Sequence, residues 1–276
     1  SNKDIPFIHK RLGWLEYYLG NYDKAMSFFE KVGDDNQSVT DSYNGIGSIH
    51  LQKSNYSEAI GNYKKQLLIC ESNKDAKGTV FAKQNLGNAY LKIDDFDKAL
   101  TYYLEAEELS KKLNDKKLIL LSVSNLGSFF NQTGDYSKAE KCLNEAYKLG
   151  KIIGDKRAIA TVSTNLGNLL TIKREFEAAI DYQKKSYEIF KELGHTIGIA
   201  TSLLNIGFLY TEKRCFAVSI QYFEESLTYL KNNNLGKTMR YATPLLNLGE
   251  AYIHIADYEK AMQISREAKA LAESLH

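Results

Sequence analysis

The chain has 276 residues, 43% of them apolar, with 36 Lys and Arg against 34 Asp and Glu and a formal charge of +2. That balance, with no run of Lys or Arg, speaks against nucleic acid as a partner, and no stretch of about 18 apolar residues reads as a membrane span. Cys70, Cys142 and Cys215 are far apart in the sequence and read as reduced thiols of a cytoplasmic protein.

Ser1 and Asn2 read as the remnant of a cleaved tag. From there on, one unit recurs. Gly13, Gly47, Gly87, Gly127, Gly167, Gly207 and Gly249 mark its copies, at spacings of 34, 40, 40, 40, 40 and 42 residues. Twelve residues after each glycine stands a small residue, Ala25, Ala59, Ala99, Ala139, Ala179, Ser219 or Ala261. Three residues before the small residue stands an aromatic: Tyr22, Tyr56, Phe96, Tyr136, Phe176, Phe216 or Tyr258. A supersecondary unit repeated at this period predicts a solenoid in which each copy packs on its neighbours. The copies fall at about 6–39, 40–79, 80–119, 120–159, 160–199, 200–241 and 242–276, giving a single domain over 1–276.

Within one copy, Phe81, Ala82, Leu86, Ala89, Tyr90 and Ile93 keep helical spacing and predict a first helix, A. Asp94-Asp95 makes a turn, and Phe96, Ala99, Leu100, Tyr103, Leu104, Ala106 and Leu109 predict a second helix, B, ending near Leu113. Asn114-Asp115, Gly154-Asp155 and Gly194-His195 punctuate the next boundaries. Only two prolines occur, and Pro244 predicts that the seventh helix A either starts near Thr243 or kinks. Glycine costs about 1 kcal/mol relative to alanine inside a helix. Its retention predicts close approach of helix B, with the small residue twelve positions on facing it.

The pattern Leu86, Gly87, Tyr90, Phe96, Ala99, Tyr103, Ala106 resembles the tetratricopeptide repeat over essentially the whole chain. The 40-residue spacing and the Asn-Leu-Gly-Asn strings at 85–88 and 165–168 are similar to the long repeats of the LGN/Pins, kinesin light chain and bacterial Rap/PlcR groups. The resemblance implies an all-α, right-handed superhelical solenoid of seven helix-turn-helix repeats, about 14 helices, with the A helices lining a concave groove. Departures from the pattern are Glu16, Ser219 and Ser265, the last predicting a frayed or truncated final helix.

On that groove, the position two before the glycine reads Asn85, Asn125, Asn165, Asn205 and Asn247 in five successive copies. A carboxamide offers donors and acceptors that match the main chain of an extended peptide, and relatives with long repeats use inner-surface asparagines this way. A second reading pairs the same side chains with neighbouring helices. Asn88, Asn168, Gln84, Ser128, Thr164 and Asn131 extend the polar surface, while Leu204 and Phe208, with Leu246 and Ile253, predict an apolar anchor or inter-repeat core near the sixth and seventh copies. The Lys/Asn pairing of a chaperone-type carboxylate clamp is missing.

No phosphate-binding loop, His-Glu-x-x-His or paired-cysteine zinc motif occurs, and His9, His50, His195, His254 and His276 share no repeat position. The sequence therefore predicts no catalytic residue, no metal and no cofactor. It predicts a non-catalytic module that binds a protein or peptide segment, with self-association through a terminal repeat as a further expectation. A peptide-sensing domain of a bacterial regulator and a substrate-presenting arm of a larger enzyme are the alternatives.

Overall fold

The computed structural model describes residues 5–32 and 36–275, which hold fourteen α-helices and no strand. Ser1, Asn2 and His276 lie outside the described residues. Two compact units divide the chain, Ser1–Asp135 and Tyr136–His276. The first holds α1 (Ile5–Tyr18), α2 (Tyr22–Glu30), α3 (Asn36–Gln52), α4 (Tyr56–Ser72), α5 (Ala76–Lys92), α6 (Phe96–Lys112) and α7 (Lys116–Gln132). The second holds α8 (Tyr136–Ile153), α9 (Lys156–Ile172), α10 (Phe176–Glu192), α11 (Thr196–Glu212), α12 (Phe216–Asn232), α13 (Met239–His254) and α14 (Tyr258–Leu275). Within each unit every helix packs on the next in sequence, and successive A helices also touch, as α1 with α3, α3 with α5, and α9 with α11.

Local chemistry sets the boundaries. Asp75, Asp95 and Asp155 each accept a hydrogen bond from the backbone N–H three residues on, and Asp115 accepts from Lys117 and Leu118. Such a cap contributes about 1 kcal/mol. His195 does the same with Nδ1, accepting from Gly198 N at 3.0 Å. The residue before each of these caps is left-handed, with φ of 54° at Lys74, 57° at Asp94, 50° at Asn114, 69° at Gly154 and 62° at Gly194. Glycine takes that conformation without the Cβ clash, which explains the last two.

The core is built from one contact used again and again. A Cβ on Gly13, Gly47, Gly87 or Gly207 would lie 2.5 to 2.7 Å from the ring of Phe29, Tyr63, Tyr103 or Phe223. The residue pressed against the glycine therefore stands sixteen positions on, in helix B, and not twelve. The small residue expected there is buried, as Ala59 and Ala99 are, but it is not the nearest neighbour. Tyr63 and Tyr103 are each 2% exposed. Burying such a ring contributes about 1.5–3 kcal/mol, more than the roughly 1 kcal/mol that the glycine costs its helix.

Two expectations are corrected. α13 does not start near Thr243: it begins at Met239, after an extended Thr238, and runs through Pro244. α14 is not truncated: its 18 residues compare with 17 or 18 in α4, α6, α8, α10 and α12, and Ala261 and Leu271 anchor it in the cluster around Leu245, Leu248 and Tyr252.

Candidate functional site

Each unit carries its own set of the predicted side chains. In the first, Asn85 on α5 donates through Nδ2 to Asn44 Oδ1 on α3 at 2.8 Å, and more weakly to Gln66 Oε1 on α4 at 3.4 Å. One repeat on, Asn125 on α7 donates to Gln84 Oε1 on α5 at 3.3 Å, and Gln84 Nε2 donates to Ser122 Oγ at 2.9 Å. These bonds run sideways from one A helix to its neighbour. They fix the carboxamide rotamers, and they leave Oδ1 of Asn85 and of Asn125 without a hydrogen bond among the described residues. Both asparagines are half-buried, whereas Gln84 is 3% exposed and is an interior relay, not a contact residue.

In the second unit, Asn205 on α11 donates to Asn168 Oδ1 on α9 at 3.2 Å, and that oxygen also accepts from Gln183 Nε2 at 2.9 Å. Asn168 is exposed with its acceptor doubly engaged, so its amide N–H groups are what it can offer. Asn165 is half-buried at the matching place on α9. Asn247 on α13 is half-buried and makes no hydrogen bond among the described residues. Thr164 is turned inward: its hydroxyl bonds Ala160 O at 3.2 Å and shares a 2.7 Å bond with Ser186. On α7, in the first unit with Asn131, Ser128 Oγ donates to Ser124 O at 3.1 Å. The Asn131 Oδ1 is buried and has no partner among the described residues.

In five of the seven copies the position after the glycine obeys a rule that sequence reading missed; Ser128, with Leu143 sixteen residues after Gly127, and Glu250, with Ile264 nearest Gly249, fall outside it. The chemistry of that position follows that of the residue pressed on the glycine from helix B. Ser48 shares a 3.2 Å hydrogen bond with the Tyr63 hydroxyl, Asn88 Oδ1 accepts from the Tyr103 hydroxyl at 2.6 Å, and Asn168 accepts from Gln183. Where helix B brings a phenyl ring, the residue after the glycine is apolar: Trp14 lies 5.3 Å edge-on from Phe29, and Phe208 follows Gly207, which Phe223 covers. Burial pushes the Tyr63 hydroxyl up to about 12 and Tyr103 higher still, so both remain neutral donors. The signal was present as the pair of positions one and sixteen after Gly13, Gly47, Gly87, Gly167 and Gly207.

The apolar residues separate. Leu204 packs against the buried cluster of Phe223, Leu245 and Leu248. Phe208 (43% exposed), Leu246 (61%) and Ile253 (54%) stay open. Among the described residues no three His, Cys, Asp or Glu side chains group as metal ligands would, and no helix is long and apolar enough to cross a membrane.

Paired helices with small-residue packing, repeated along the chain, define a helical-repeat protein. The family model "Tetratricopeptide repeat" matches residues 38–112, 118–192 and 198–274, and a second model of that description matches 11–36. The chain belongs to the tetratricopeptide repeat family. Among solved structures, BtubC (BKLC) from P. vanneervenii is 23% identical with a TM-score of 0.67, covering 80% of this chain and 90% of its own. A Rap protein complexed with competence and sporulation factor is 13% identical at TM-score 0.69, covering 99% and 78%. A putative kinesin light chain from Podosopora anserina, described as having nearly identical TPR-like repeats, is 11% identical at TM-score 0.59, covering 71% and 96%. At these identities the likeness is one of fold. No curated protein matches the sequence.

Proposed function

We propose that the chain is a non-catalytic interaction module that holds an extended protein or peptide segment against its A-helix carboxamides. The carrying observation is the pairing scheme of Asn85, Asn125 and Asn205: one N–H of each is tied to a neighbouring helix, and Oδ1 is left for a guest. A guest N–H is the natural donor to such an oxygen. Side chains fixed in advance lose less rotamer freedom on binding. Main-chain hydrogen bonds of this kind supply affinity with little dependence on sequence, and pockets for selected side chains supply discrimination. Phe208, Leu246 and Ile253 are the apolar surface for that second task.

A peptide-array pull-down tests this, comparing wild type with Asn85→Ala/Asn125→Ala and, separately, Asn205→Ala. Loss of captured peptides at an unchanged melting temperature supports the reading, and identical capture profiles reject it. A fall in melting temperature that accounts for all the lost capture assigns the side chains to the scaffold alone.

A second reading, a peptide-sensing regulatory domain in a signalling protein, draws on the fold shared with the Rap protein solved with its competence and sporulation factor. It shares the same binding face and adds a change of helix packing on occupancy. Amide exchange that slows at repeat junctions remote from the guest favours it over simple scaffolding.

A further inference from the structure

Helix α1 carries an apolar stripe that the fold does not use. Ile5, Ile8, Leu12 and Leu15, with Leu19 in the turn just past the helix end, follow one another at intervals of three, four, three and four residues, the a/d rhythm of a helix built to face another helix. Ile5 is 45% exposed, Ile8 50%, Leu15 53% and Leu19 61%. The face of α1 that packs inward lies on the opposite side. Gly13 is buried under Phe29 and Lys10 reaches Asp41 on α3 at 2.6 Å, while His9, which flanks the stripe, lies tilted beside Phe28 of α2. Within the stripe Leu12 is half-buried, and the other four side chains stand largely in water.

Charge placement selects the occupant. With the stripe as the a and d positions, Arg11 falls at g and Glu16 at the following e. Arg11 is exposed, lies over the Phe7 ring and has no carboxylate partner among the described residues. Glu16 accepts from Asn21 Nδ2 through one oxygen, at 2.7 Å, and its other oxygen makes no hydrogen bond among the described residues. In a parallel pair of α1 helices, g of one faces the next e of the other. Arg11 of each copy then meets Glu16 of its partner twice across a two-fold axis. An antiparallel pair would instead set Glu16 against His9, whose ring nitrogen is already bonded to Lys31 O at 3.1 Å. We infer that the outer face of α1 is a self-association surface, on which α1 of a second copy packs in parallel, sealing the Ile/Leu stripe and forming two Arg11–Glu16 ion pairs. The seam is only two heptads long, so association is weak and concentration-dependent, and it is independent of the peptide-binding reading.

Sedimentation equilibrium from micromolar to millimolar protein tests it. Wild type should move from single to double mass across that range. Leu15→Glu/Leu19→Glu should stay at single mass throughout and keep the dilute wild-type melting curve, since both side chains are largely exposed. Arg11→Glu should weaken the dimer by roughly tenfold or more through like charges across the axis, and Arg11→Glu/Glu16→Arg should restore it. Single mass for wild type at every concentration overturns the inference and leaves the stripe to another chain. Doubling that survives in Leu15→Glu/Leu19→Glu, or a charge swap no tighter than Arg11→Glu alone, also overturns it.

Discussion

The repeat built on Gly87 and the repeat built on Gly207 have the same backbone and opposite surfaces. In the first, Tyr103 covers the glycine and its hydroxyl bonds Asn88. In the second, Phe223 covers the glycine and the matching surface position is the half-open Phe208. The chemistry shown to a partner is therefore set from underneath. A tyrosine or glutamine in helix B calls for a hydrogen-bonding residue on helix A, and a phenylalanine calls for a ring. At these two repeats the polar or apolar character of the surface position goes with the residue that fills one core position.

The largest test adds the wrong tip. Phe223→Tyr places a hydroxyl beneath Phe208 in a site 1% exposed, where an unpaired group costs about 1–3 kcal/mol. Adding Phe208→Asn should recover at least half of the loss, measured as the coupling energy of a double-mutant cycle in urea. Additive costs would break the rule.

Next come the glycines themselves. Gly87→Ala and Gly207→Ala each press a methyl to within 2.5 to 2.7 Å of a ring. Both should lose about 1–2 kcal/mol despite the different chemistry above them, overpacking outweighing the gain in helix propensity. Gly61→Ala meets nothing within 4 Å and should instead gain up to about 1 kcal/mol. Thermal melts of the three variants decide this.

Removing the correct tip costs less. Tyr103→Phe leaves Asn88 half-buried and able to bond water, so the expected loss is about 0.5–1.5 kcal/mol by denaturant titration. A loss several times larger would mean that the hydroxyl holds more than Asn88.

The smallest effect is in pH. The Tyr63 hydroxyl is raised from an ordinary value near 10 to about 12, and Tyr103 is raised further. A group raised on folding contributes stability that is complete below its unfolded value and is lost as pH climbs through the folded one. Stability should thus decline between pH 10 and 12, and the Tyr63→Phe/Tyr103→Phe variant should show a shallower decline. At the acid side His195 is lowered, by burial first and by Arg157 second. Its capping bond to Gly198 needs neutral imidazole, so the start of α11 should loosen as pH falls below about 6.5, read by amide exchange.

Much of the fold was legible because glycine at fixed spacing and aspartate before a helical run are local signals. Asp95 and Asp115 located the starts of α6 and α7 to within a residue or two, whereas α5 begins at Ala76, five residues before the expected Phe81. The residue that covers each glycine was misassigned because Ala99 and Tyr103 share one helical stripe, and only packing decides which comes nearest. The inward turn of Thr164 and the burial of Gln84 depend on partners 22 and 38 residues away, Ser186 and Ser122, which no local pattern reveals. His195 was recognised as a boundary, yet its ring nitrogen acts as a cap, a role usually taken by Ser, Thr, Asp or Asn. The α1 stripe is plain in the letters, but its lack of cover is a tertiary fact.

Peptide backbone methylation gives the most direct measurement. A peptide captured by the wild-type chain would be resynthesised with alternate amide nitrogens methylated, keeping every side chain, and both forms titrated by calorimetry. Oxygens of Asn85 and Asn125 gripping main-chain N–H groups predict that one methylation phase loses most of its affinity while the other is nearly unchanged. Equal affinity of both phases with the parent peptide would contradict the account.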